Sequence, residues 1–145
     1  MLDEPIFSAS DVANVLDEKE TTVRRWHHSG FSRCFGRKSD YAVRYTARDI
    51  AGFAVARDLV KLKFPPPLAA RVGAVMMRHD PAPDVVLSGM PEQIAMLAPE
   101  PGSGIVSDRC NWRAPSSTTT TISIPVGRIW ADVIDKAARI KRARD

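Results

Sequence analysis

The sequence predicts an α+β fold: a mainly helical N-terminal half, then a small antiparallel β-sheet and a C-terminal helix. Three observations carry that prediction. Apolar residues recur at helical spacing as far as about residue 79. Beyond Pro81 they shrink to short runs broken by Gly and Pro: Val85-Val86-Leu87, Ile94 to Leu97 and Ile105-Val106, which read as brief strands. Thr118 to Val126 then alternates, with Thr120, Ile122, Ile124 and Val126 on one face, and an amphipathic stripe follows it. The chain of 145 residues therefore divides into a segment 1–80 and a segment 81–145.

Taken in order, Val12, Ala13, Val15 and Leu16 form a short helical pattern with Ser8 and Ser10 as alternative N-caps. Asp17-Glu18-Lys19-Glu20 ends it. Thr21 or Glu20 opens a second helix whose inward residues are Val23 and Trp26, and Ser29-Gly30 stops it. Residues 32–43 hold Gly36, several charges and no helical period, so they read as a loop or hairpin. Thr46-Ala47-Arg48-Asp49 has the form of a capping box with Asp in place of Glu. The helix behind it ends near Lys63, before Pro65-Pro66-Pro67. Leu68, Val72, Val75 and Met76 predict a fourth helix. Pro125 cannot donate to a ladder, which puts the Thr118–Val126 strand at an edge or at its end. The last helix carries Ile129, Trp130, Val133, Ile134, Ala137 and Ile140 on one stripe. That stripe has two readings, packing inside the chain or a face for a second copy.

Composition narrows the function. An apolar fraction of 44% supports a packed core, and a net charge of +4 leans mildly towards acidic partners. Position says more than the total. Lys19 to Lys63 contains eleven Lys and Arg against four acids, whereas Pro81 to Pro115 contains two Arg against four. Positive charge concentrated in one segment is what neutralising phosphates requires. The two cysteines, Cys34 and Cys110, have no close partner, which excludes a disulfide framework and a Cys-x-x-Cys metal site. His27 and His28 are adjacent on a helix and point about 100° apart, so they cannot chelate a metal by themselves. No acid–base pair, nucleophile motif or phosphate loop is visible, so no enzyme, catalytic residue, metal or cofactor is expected. The acidic start and the lack of a long apolar run predict a cytoplasmic chain without a membrane span.

Helix, tight turn, basic helix, hairpin, helix is the element order of a winged helix-turn-helix, whose second helix enters the major groove. Burying Val23 and Trp26 leaves Thr21, Thr22, Arg24, Arg25, His27 and His28 for phosphates or base edges. The wing would add Arg33, Arg37, Lys38 and Arg44, with Tyr41 and Tyr45 beside them. On these residues the chain resembles the MerR family and its excisionase-like relatives. Phe7-Ser8-Ala9-Ser10-Asp11-Val12-Ala13-Asn14-Val15-Leu16 looks like that family's first helix. Thr21-Thr22-Val23-Arg24-Arg25-Trp26 looks like its Ser/Thr-Thr-Leu-Arg-x-Trp signature. Gly30-Phe31 resembles its Gly-Leu helix stop, and Arg44-Tyr45-Thr46-Ala47-Arg48-Asp49-Ile50 its Arg-Tyr-Ser/Thr-x-x-Asp-Leu opening. The resemblance spans roughly residues 5 to 79. Asp17 stands where many members have Gly, Val43 where Arg is frequent, and the long dimerising helix of MerR regulators has no counterpart.

The expectation is therefore a sequence-specific binder of double-stranded DNA, a transcriptional regulator acting as a homodimer. The alternatives are an excisionase-like or small-terminase-like architectural protein, and a protein-interaction module using the strand–helix tail.

Overall fold

The structure, a computed structural model, describes residues 1–95 and 121–145. Helix α1, Ala9–Leu16, starts where Ser8 and Asp11 cap each other: the Asp11 amide donates to Ser8 Oγ at 3.2 Å and the Ser8 amide to Asp11 Oδ2 at 2.8 Å. Ser8, not Ser10, is the cap. Asp17 ends the helix in the left-handed region at φ 53°, and its amide closes back on Ala13 and Asn14. Glycine adopts this conformation more readily than any other residue, so Asp17 occupies a position that favours Gly.

Helix α2, Glu20–His28, follows after the three-residue connection 17–19 and buries Val23 and Trp26. A 3₁₀ turn, Phe31–Arg33, drops Phe31 into the core. Strands β1, Arg37–Ser39, and β2, Ala42–Arg44, form the expected hairpin, with Ser39 facing Ala42 and Asp40 at φ 52° in the turn. The chain leaving β2 pairs with the N-terminal segment, Phe7 and Tyr45 exchanging both backbone hydrogen bonds. Helix α3, Ala47–Lys61, opens with the Thr46–Asp49 capping box predicted from sequence. Asp49 Oδ2 also accepts from the Gly36 amide at 3.2 Å, tying the base of the hairpin to the helix start.

Helix α4, Pro66–Met76, crosses α3 at Gly52 and Gly73, where a Cβ on Gly73 would lie 2.2 Å from the Gly52 carbonyl oxygen. Five aromatic rings fill the space under α2 and the hairpin. Phe53 sits at their centre, 4.7 Å from Phe31 and 6.0 to 6.4 Å from Trp26, Phe35 and Tyr45.

After Pro81 the outcome is mixed. Strands β3, Leu87–Gly89, and β4, Ile122–Ile124, form an antiparallel pair, Leu87 opposite Ile124. Ile94, expected in a strand, lies instead in a short helix α5, Pro91–Ala95, because the turn begun by Pro91 buries it against α4. Ile105-Val106 and residues 118–120 of the predicted long strand lie outside the described residues. Val126, assigned to that strand, begins α6, Val126–Arg144, since Pro125 ends the ladder and fits just ahead of a helix. The stripe of α6 packs on α3 and α1, burying Val133 and Ala137. Arg48 holds this arrangement together. It lies 5.1 Å over the Trp130 ring, donates to the Met77 carbonyl, and pairs with Asp3 and Asp80. At the other end of α6, Arg144 donates to Asp11 Oδ1 at 2.6 Å. Among the described residues no helix is long and apolar enough to cross a membrane.

Candidate nucleic-acid interface

Helical geometry divides α2 into two faces. Val23 and Trp26 are 0% and 8% exposed, and Thr21, Arg24, Arg25 and His28 fall on the opposite, exposed side. Thr22 and His27 are half-buried at the two flanks. Beside this helix the hairpin projects Arg37, Lys38 and, half-buried, Arg44. Arg37 stands directly across from Arg44 in the ladder, an arrangement of like charges that lowers hairpin stability unless an anion is near. Among the described residues neither forms an ion pair, nor do Arg25, Arg33 and Lys38, although the Asp3 carboxylate is near enough to feel the Arg37 charge. Arg33 is exposed in the 3₁₀ turn, and Tyr41 at the tip of the hairpin is fully exposed.

Between α2 and the hairpin lies a cleft of about 310 Å³, lined by Ser8 and Ala9 on the α1 side, Glu20, Arg24, His27 and His28 from α2, and residues 41–45. It brings together six of the expected site residues: Arg24, His27, His28, Tyr41, Arg44 and Tyr45. Thr21, Thr22, Arg25, Arg33, Arg37 and Lys38 lie outside it.

Tyr45 requires a correction. It was expected beside the wing as a DNA contact, but it is 1% exposed and belongs to the aromatic core. Its backbone is fixed to Phe7, which turns the ring inward against Phe53, and its hydroxyl meets His27 Nδ1 at 3.1 Å. Burial, with the Asp49 charge nearby, pushes the Tyr45 hydroxyl up to about 12. Its role is to hold α2 against the hairpin. Burial also lowers the His27 imidazole below the ordinary histidine value, and the adjacent His28 adds to this. The two histidine rings stand 5.5 Å apart, edge to face. Burial raises the Cys34 thiol, so that sulfur is a poor nucleophile. No group of three or more His, Cys, Asp and Glu that could hold a metal occurs among the described residues.

One functional candidate escapes a search for basic residues. Glu20, on the flank of α2 facing the hairpin, bonds Arg24 one turn along. Its spacing of four from Arg24 was the available signal.

Compared with protein-family models, curated proteins and solved structures, the chain matches none of them.

Proposed function

We propose that the chain is a sequence-specific DNA-binding protein of the MerR-like winged helix-turn-helix kind, and that it acts as a regulator. Helix α2 would enter the major groove while the β1–β2 hairpin lies along the phosphates. One observation carries the reading: Arg25, Arg37, Lys38 and Arg44 project from two adjacent elements, and none of them forms an ion pair among the described residues. Cations left facing one another on a hairpin are stabilised by an external polyanion, and the exposed face of α2 supplies donors for base edges. A unit of this size covers few base pairs, so two copies on a symmetric site are expected. Light scattering of the protein–DNA complex measures that number.

The test is duplex binding as a function of salt. Arg25→Ala and Arg37→Ala should each weaken binding and reduce the slope of log affinity against log salt by about one unit. Unchanged affinity and slope in the double variant would remove α2 and the hairpin from the interface.

A further inference from the structure

An acid at the mouth of a basic interface needs a reason. Glu20 is the first residue of α2 and lines the cleft beside Arg24. Both side chains are substantially exposed, 43% and 63%. Near a duplex its charge repels every phosphate, whatever the sequence, so Glu20 lowers general affinity. What it contributes instead is a hydrogen-bond acceptor in a place otherwise filled with donors.

The geometry of the pair leaves that acceptor available. Arg24 Nε and Nη2 both donate to the same carboxylate oxygen, Glu20 Oε1, at 3.2 and 2.6 Å. Glu20 Oε2 and Arg24 Nη1 consequently have no partner among the described residues. Together they offer one acceptor next to one set of donors, held in register by their own ion pair. In the major groove a G·C pair presents the complement: guanine N7 and O6 accept side by side, and cytosine N4 donates next to them. An A·T pair places its amino donor between two acceptors, which sets the adenine amino group against the guanidinium and thymine O4 against the carboxylate.

We propose that Glu20 and Arg24 form one reading unit for a G·C base pair, the carboxylate accepting from cytosine N4 and the guanidinium donating to guanine. This rests on the DNA-binding reading above and adds a base preference to it. Arg24 is the stronger contact, and Glu20 both fixes its plane and rejects the A·T edge, whose donor faces the guanidinium rather than the carboxylate.

Selection of bound fragments from random duplex DNA, using the full chain and its Glu20→Ala and Glu20→Gln variants, tests the assignment. The unaltered protein should enrich a site with one fixed G·C position. Glu20→Ala should lose that preference by about tenfold while keeping the other positions. It should also bind mismatched duplex at least as tightly, since a repelling charge has gone. Glu20→Gln, whose amide pairs with adenine, should shift the position towards A·T; it is nearly isosteric and carries the test if the alanine variant folds poorly. An unchanged G·C preference in Glu20→Ala, or in Glu20→Gln where that variant carries the test, would reduce the pair to a helix-stabilising bridge and overturn the proposal, leaving the DNA-binding reading intact. Failure of the unaltered protein to retain any duplex would overturn both.

Discussion

His27 and Asp17 show how single residues set the posture of α2. His27 is held by the Tyr45 hydroxyl at 3.1 Å in a half-buried site where the neutral ring is favoured. Because its folded value lies below the ordinary 6.5, the unfolded chain binds a proton that the folded chain does not. Stability should therefore fall as pH drops from about 6.5 through the lowered folded value, and level off below it. Replacing His27 by Gln should flatten that part of a plot of melting temperature against pH. Asp17 makes the opposite case. Its left-handed backbone at φ 53° costs a non-glycine residue conformational energy. Asp17→Gly should raise stability by about 0.5 to 1 kcal/mol in urea titrations, with the turn between α1 and α2 unchanged.

Among elements, the ones legible in the sequence were those whose signals are local. The Ser8 and Thr46 caps, the Val23–Trp26 spacing, Gly30 and the charged hairpin sit within a few residues of what they specify, and all appear where expected. What escaped depends on distant partners. Ile94 became helical through packing on α4, and Tyr45 turned inward because Phe7 pairs with it. The α3–α4 crossing is of the same kind: no local pattern marks Gly52 and Gly73 as a meeting point, yet the two helices touch backbone to backbone there. A methyl group on Gly73 has nowhere to go but into the Gly52 carbonyl. Gly73→Ala should cost about 3 kcal/mol, read as a lowered denaturation midpoint, although alanine is the better helix former. Among the expected site residues, the exposed position of Thr21, Arg24, Arg25 and His28 was readable from helical spacing alone. Glu20 showed only its spacing of four from Arg24; which carboxylate oxygen Arg24 leaves free is visible in the structure alone.

At the scale of the whole molecule, α6 joins the two ends of the chain. It covers α1 and α3, buries Val133 and Ala137, and is fastened by Arg48 near its start and Arg144 at its end. The apolar stripe that the sequence left open between self-packing and a partner face is thus spent largely within the chain. Val133→Ala should remove about 2 kcal/mol of stability. Its effect should reach the α1–α2 region, so transitions followed by backbone dichroism and by aromatic signals should shift together.

Helix α3 carries the widest consequence. Nine of its fifteen residues are buried and only Lys61 is exposed, because α1, α4 and α6 pack around it. A helix with so little outward surface has almost no neutral positions. In a saturation library the stretch 47–59 should be nearly barren of survivors, while the hairpin tip around Tyr41 accepts most replacements. Sequence variation in such a protein would then have to accumulate at its rim, around a centre that tolerates almost no change.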